Sequence, residues 1–366
     1  MKTVCSPGQC AGCMACADIC PHGAVSVQVT SERCIPEINP ELCTDCGLCR
    51  RVCQNHTHPA LEKPRQWLEG WASDPEIRKA GSSGGIAGAL TRAFLKNGGA
   101  VCSCTYENGS FCFRIARTEA QASTFAGSRY VKSNPQGVWK QIKALLKAGT
   151  KVLLIALPCQ VAAAKLYMGF LSENLYTADL ICHGSPSPQV LEVFLKQHGL
   201  RLHQPQFRKK QCYCLCDGAK SISPQGVRDR YSIAFLNSLI HTENCYSCPY
   251  AREERPGDLT LGDSWGTELS EEEAAKGISL VLCQSEKGRQ LLELAQLQLF
   301  PADREQALAH NHQLCHPSAM PEERTDFFEK LNRGEAFDKL VSGVYPKQCF
   351  RQDIKGLLAK LGLRRR

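Results

Sequence analysis

The sequence predicts an α/β protein, with a parallel sheet crossed by helices and a small cysteine-rich α+β domain in front of it. Two observations carry that expectation. From about residue 138, short apolar strand-like runs alternate with helical ones, and ten of the chain's 23 cysteines fall within the first 53 of its 366 residues. A hydrophobic content of 43% and a charged content of 22% are ordinary for a globular chain, which excludes disordered, fibrous and low-complexity classes.

Residues 1–60 hold little that could build an apolar core. Only Ala24-Val25-Ser26-Val27-Gln28-Val29 alternates like a strand, so this segment needs a bound metal to hold it together. Residues 61–80, flanked and punctuated by Pro59, Pro64 and Pro75, read as a linker. The first part of the main domain, 81–150, opens at Gly81-Ser82-Ser83-Gly84-Gly85. Ile86, Leu90, Phe94 and Leu95 then recur at helical spacing until Gly98-Gly99 ends the run, and Ala100 to Tyr106 reads as a strand.

The second part, 151–320, carries the clearest pattern. A helix over Val138–Ala148 leads to a strand over Lys151–Leu157, a helix over Gln160–Gly169, a strand over Tyr176–Cys182 and a proline-started helix over Pro188–His198. Alternation of this kind implies parallel strands joined by right-handed crossovers. Ligands of open parallel sheets sit at the carboxyl ends of the strands, which places Cys159 and Cys182 together on the functional edge. The pattern from about 205 is strand-like and less regular. The segment 321–366 turns helical, with Phe327, Phe328, Leu331, Ile354, Leu357, Leu358 and Leu361, and ends in Arg364-Arg365-Arg366, expected to be frayed and solvated.

The start of the chain has no apolar run resembling a secretory leader, so a cytoplasmic location is expected. Thiols there bind metals or do redox chemistry rather than pair. The longest apolar stretch, Val152–Leu157, is far too short to span a membrane. The net charge of +8 is spread among acids and reads as a solvated surface; no nucleic-acid partner is expected.

Cys10-Ala11-Gly12-Cys13-Met14-Ala15-Cys16-Ala17-Asp18-Ile19-Cys20-Pro21 follows C-x2-C-x2-C-x3-C-P, and Cys43, Cys46, Cys49 and Cys53 repeat the spacing. This is the bacterial dicluster ferredoxin pattern, in which the fourth cysteine of each run serves the other cluster. Accordingly Cys10, Cys13, Cys16 and Cys53 are expected on one [4Fe-4S] cluster and Cys43, Cys46, Cys49 and Cys20 on the second. Gln54 stands where the second run should have proline, while Cys5 and Cys34 fall outside the pattern and read as bystanders.

Five further stretches resemble the beta-subunit family of coenzyme F420 hydrogenase and dehydrogenase. They are Gly81–Gly85, Gly127-Ser128-Arg129-Tyr130-Val131-Lys132-Ser133, Pro158-Cys159-Gln160-Val161-Ala162, Cys182-His183-Gly184-Ser185-Pro186-Ser187, and Cys245-Tyr246-Ser247-Cys248 followed by Arg255 to Gly266. The resemblance implies an iron-sulfur flavoprotein oxidoreductase that moves electrons between clusters, FAD and F420 or another organic substrate. It also implies a redox partner, either a ferredoxin or a hydrogenase or dehydrogenase subunit.

A Gly/Ser loop opening a helix suits a phosphate, so Gly81, Ser82, Ser83, Gly84 and Gly85 are the FAD candidates, a plain flexible turn being the other reading. Arg129 and Tyr130 join them, although a basic pair of Arg129 and Lys132 is equally what a solvated surface carries. A third [4Fe-4S] cluster on Cys159, Cys182, Cys245 and Cys248 follows from the family motifs, against buried or redox-active thiols. His183 and Asp263 are the catalytic candidates, His183 as a proton donor and Asp263 as a holder of the flavin edge. Cys212, Cys214 and Cys216 share a strand face and read as packing, and His310, His312 and His316 lack the second cysteine a zinc site would add. The other class in play is a non-catalytic subunit that relays electrons to a partner enzyme.

Overall fold

The computed structural model describes residues 2–218, 220–224 and 226–361. Its first unit is a three-stranded antiparallel sheet of β1 (Lys2–Thr3), β2 (Val25–Val29) and β3 (Cys34–Ile38), in the order β1-β3-β2. Short helices Ala15–Ile19 and Leu48–Arg51 begin inside the two cysteine runs, each entered through a left-handed residue, Met14 and Gly47. Tight turns of this hand bring the intervening thiols to one side. The buried apolar side chains of the unit are mainly Val4, Val25 and Ile38, packed among cysteines.

The main unit is an eight-stranded sheet. Its strands are β4 (Gln66–Ala72), β5 (Ala100–Glu107), β6 (Ser110–Ala116), β7 (Val152–Ala156) and β8 (Leu175–Leu180), then, after a small sheet of β9 (Pro205–Lys209), β10 (Cys212–Asp217) and β11 (Lys220–Ser221), β12 (Leu259–Asp263), β13 (Ser279–Cys283) and β14 (Leu297–Pro301). The order is β14-β4-β13-β12-β8-β7-β5-β6. The four consecutive strands β12, β8, β7 and β5 run parallel, as the alternation predicted, and the flanks on both sides are antiparallel.

Helices cover both faces, so every residue of β7 is buried, which is why its sequence is continuously apolar. On one face Leu90 and Phe94 of the helix Ile86–Lys96, with Leu291, pack on Leu153, Ile155, Leu259 and Val281. On the other, Trp139 and Ile142 of Val138–Lys147 and Val161 of Pro158–Met168 pack on Cys102, Val152 and Leu154. A third core, rich in Phe194, Phe207, Tyr231, Phe327 and Phe337, joins the β9–β11 side to the helices Arg324–Asn332 and Phe337–Val344.

One expectation needs correcting. Residues 61–80 are no linker: they supply β4, paired with both β13 and β14, and the helix Pro75–Ala80. The prolines sit outside the strand, and Gly70 must lack a side chain because a Cβ there would lie 1.9 Å from the Gln298 carbonyl. The expected helical tail is present, whereas Arg364–Arg366 lie outside the described residues. Among the described residues no helix is long and apolar enough to cross a membrane.

Candidate redox site

The thiols fall into three neighbourhoods. Cys53 lies with Cys13, Cys16 and Cys5, and Cys10 lies beside Cys5. Cys20 lies instead with Cys43 and Cys49, and together with Cys46 these ring a cavity of about 80 Å³. The last thiol of each run therefore lies with thiols of the other run. Cys159, Cys182, Cys245 and Cys248 form the third neighbourhood, at the ends of β7 and β8 and in the loop before β12. Each of these four keeps partial accessibility, while the thiols of Cys159, Cys182 and Cys248 are hemmed in by protein.

Burial, followed for Cys13 by neighbouring thiols, pushes Cys13 up to about 11, and burial with Cys245 pushes Cys182 up to about 12. Undecorated, these recesses favour neutral thiols; a thiolate there needs positive charge beside it. Among the described residues no three His, Cys, Asp or Glu side chains converge as they would on one metal ion. A cubane spaces its ligand sulfurs more widely than a single ion does, and four soft thiol donors per neighbourhood suit one.

Three buried side chains stitch the first neighbourhood to the third. Gln54, the departure from the ferredoxin pattern, donates from Nε2 to the Cys159 carbonyl at 3.0 Å, with the Cys13 thiol close by. Lys132 donates from Nζ to Ala11 O and Asn244 Oδ1, both at 3.1 Å. Burial pulls the Lys132 ammonium toward neutrality, but Cys245, Cys34, Cys159 and Cys10 together outweigh it and hold it charged. Tyr250 is buried among Cys159, Cys248, Cys13 and Cys53, its hydroxyl without a hydrogen-bond partner. An orphaned donor amid these four sulfurs fits a site meant for acceptor sulfides. Cys5 and Cys34, which fall outside the two runs, also lie here, Cys5 beside Cys10 and Cys53 and Cys34 beside Cys245.

The sheet edge at β4, β13, β12 and β8 gathers the Gly81–Gly85 loop, Asp263 and His183. Ser83 Oγ donates to Ile278 O at 2.7 Å, Gly84 N to Ser279 Oγ at 3.0 Å, and Ala72 N to Gly84 O at 2.8 Å, pinning the Gly81–Gly85 loop to the sheet. A Cβ on Gly84 would lie 2.4 Å from the Gly70 carbonyl, and Gly85 is left-handed at φ 82°. The helix Ile86–Lys96 that follows has no side-chain cap, so the amides of its first turn remain for a ligand. Lys210 holds the loop by donating to the carbonyls of Arg78, Gly81 and Ser83 at 2.6, 2.9 and 2.9 Å. Burial, aided by Arg78 and Arg208, lowers its pKa to about 8.

Asp263, at the end of β12, is clasped by both terminal nitrogens of Arg208. The Arg208 guanidinium stands over the rings of Tyr213 and Trp265 at 4.9 and 5.4 Å. Tyr130 stacks on Tyr213 and on Phe235, centroids 5.8 and 4.4 Å apart. The result is an aromatic wall with a fixed cation beside the glycine loop. Arg129, by contrast, spends its terminal nitrogens on the carbonyls of Thr124, Ala126 and Gly127, leaving a buried Nε unpartnered.

His183 Nδ1 lies 2.7 Å from Gln313 Nε2, which also reaches His312 Nε2 at 2.6 Å. Burial against the cleft wall, with the His312 ring next to it, lowers the His183 pKa to about 4. The imidazole is therefore neutral at pH 7. Cys212, Cys214 and Cys216 lie along β10, the central strand of the small sheet, neighbouring sulfurs 3.9 and 3.4 Å apart where the β9–β10 register shifts. Arg208 and Lys210, which organise the edge, were not singled out in the sequence: they sit in the triplet Arg208-Lys209-Lys210, which reads as solvated charge.

The crossed cysteine runs are those of an iron-sulfur protein, and a 4Fe-4S dicluster domain matches residues 9–56. Residues 67–137 match the N-terminal domain of the coenzyme F420 hydrogenase/dehydrogenase beta subunit, and residues 149–300 match its C-terminal domain. The chain thus belongs to the coenzyme F420 hydrogenase/dehydrogenase beta-subunit family, as an iron-sulfur electron-transfer member. Among solved structures it is similar to a chain of the F420-reducing [NiFe] hydrogenase complex from Methanosarcina barkeri, in a xenon-derivatised form. That likeness has a TM-score of 0.51 at 18% identity, over 75% of this chain and 95% of that one, and it shows the fold. No curated protein matches the chain.

Proposed function

We propose that the chain is an iron-sulfur flavoprotein oxidoreductase with three [4Fe-4S] clusters and one FAD, exchanging electrons with a redox partner and with F420 or another organic substrate. The observation that supports it most is the continuity of the third thiol set with both of its neighbours. On one side Gln54, Lys132 and Tyr250 join it to the first ferredoxin set; on the other, Cys182 is followed at once by His183 on the edge that carries Asp263. When bound, the clusters supply one-electron carriage and the flavin the conversion between single electrons and a hydride.

The chain's own residues have distinct tasks in this reading. Cys10, Cys13, Cys16 and Cys53 hold one cluster, Cys43, Cys46, Cys49 and Cys20 the second, and Cys159, Cys182, Cys245 and Cys248 the third. Gly81 to Gly85 and the first turn of the following helix receive the FAD phosphates, with Lys210 fixing the loop's shape. Arg208, oriented by Asp263, and the rings of Tyr130 and Trp265 bound the space beside it. His183, neutral and tethered by Gln313, is placed to hydrogen-bond a nitrogen or oxygen at the edge rather than to carry a charge.

Cys248→Ala tests the relay. In the anaerobic protein reconstituted with FAD, reduction of the flavin by a reduced ferredoxin should slow by at least about a hundredfold, with the ferredoxin-type iron retained. Flavin reduction at the rate of the unmutated protein removes the third cluster from the path. Failure to bind FAD at all, with clusters intact, favours the electron-relay subunit instead.

A further inference from the structure

The last described helix, Pro346–Lys360, is docked inside out. It meets the body of the protein through polar and small residues. Gln348 exchanges hydrogen bonds with Asn237 at 2.9 and 3.1 Å, Gln352 Oε1 accepts from Arg228 N at 3.0 Å, and both Asp353 carboxylate oxygens accept from Arg230 Nη2 at 2.8 Å. Cys349 is buried on the same side, and Gly356 faces Val227.

The apolar residues are on the opposite side. Phe350 is 65% exposed, Leu357 59% and Leu361 60%, with Ile354 and Leu358 also exposed. Their spacing of four, three, one and three residues makes a continuous stripe along one face of a helix with about 3.6 residues per turn. A monomer seldom leaves such a stripe in water, and here the protein uses polar contacts to hold it outward.

Charge identifies the occupant. Exposed Arg351 and Lys355 flank the stripe on one side and Lys360 on the other, with Lys347 at its start. The sequence from 346 to 366 has seven basic residues against one acid, Asp353, which Arg230 already engages. A second copy would bring the same positive charge against this face. An apolar stripe bounded by Lys and Arg suits an anionic surface into which the apolar side chains can sink, and lipid provides both. The geometry points to Pro346–Lys360 as a peripheral anchor that lies in the headgroup region of an anionic phospholipid membrane. This goes beyond the redox reading and does not depend on it.

The test is co-sedimentation of the full, cluster-loaded chain with vesicles. Binding is expected to phosphatidylcholine vesicles containing about 30 mol% phosphatidylglycerol, and to weaken at least about tenfold in pure phosphatidylcholine or at about 0.5 M salt. The double variants Phe350→Ser/Leu357→Ser and Arg351→Glu/Lys355→Glu should each lose binding with unchanged cluster absorbance and far-UV dichroism, since all four side chains project into solvent. Absence of the unmutated chain from the anionic vesicle pellet at low salt overturns the proposal. So does equal pelleting of the Phe350→Ser/Leu357→Ser variant, or a solution dimer that this variant splits, which gives the stripe to a second copy. Capture of an acidic protein through the stripe without any vesicle binding overturns it as well.

Discussion

Arg255 is the side chain whose removal tells most about how the third thiol set is held. Its guanidinium is 1% exposed and faces Asp179, which is fully buried. Nε and Nη2 donate to Asp179 Oδ1 at 3.1 and 2.9 Å, Nη2 also to Leu180 O at 2.7 Å, and Nη1 to Tyr250 O. Leu180 stands two residues before Cys182, and Tyr250 two after Cys248, so one cation spans both arms of the site. Arg255→Met leaves the Asp179 carboxylate with only the Gly257 amide, 2.9 Å away, and orphans two carbonyls. Breaking a buried pair in this manner costs about 3–5 kcal/mol, which for a chain of this size is a fall in Tm of about 4–6 °C. Because the damage is centred between Cys182 and Cys248, about four irons per chain should be lost while the ferredoxin-type iron stays. Anaerobic thermal melting with an iron assay reads both effects. Melting within a degree of the unmutated protein, with iron unchanged, refutes the reasoning.

Other outcomes follow from the same structure. Lys210→Met removes two hydrogen bonds to glycine-loop carbonyls and a third to Arg78 just before the loop, and should weaken FAD retention by about tenfold or more on gel filtration, with cluster absorbance unaltered; unchanged retention detaches Lys210 from the flavin site. His241 is fully buried with both ring nitrogens unpartnered, and burial, then the neighbouring His183 and Arg324, lowers its pKa to about 3. Between its ordinary value of about 6.5 and that value the unfolded chain takes up a proton that the native one refuses, so stability falls with pH by up to about 1.4 kcal/mol per unit. A His241→Phe variant should therefore lose less stability than the unmutated chain between pH 6.5 and 5 in denaturant titrations; parallel curves contradict this. Gln54→Pro, which restores the ferredoxin pattern, should loosen the contact with Cys159 and increase proteolysis between the two units.

What could be read in the sequence depended on how local the signal was. The parallel strand β7 announces itself because burial on both faces leaves an uninterrupted apolar run, and the cysteine runs stand out by their spacing alone, without reference to the rest of the chain. β4 was hidden, since its Trp67, Glu69, Gly70 and Trp71 show no clean period and prolines surround it; its place comes from pairing with β13 and β14, more than 200 residues later. The same distance effect concealed Arg208 and Lys210, whose partners Asp263 and Gly81 are far away in sequence. Cys5 looked idle because it precedes the first run, yet β1 brings the chain back beside Cys10 and Cys53. The inverted face of Pro346–Lys360 was legible as a helix but not as an exposed one, because periodicity marks an apolar stripe without saying what covers it.

The central claim is that three clusters and a flavin share this one chain. Iron, acid-labile sulfide and extracted flavin per chain, measured on anaerobically purified and reconstituted protein, test it most directly. The account predicts about twelve irons, about twelve sulfides and one FAD. About eight irons, or iron without flavin after FAD is supplied, contradicts it.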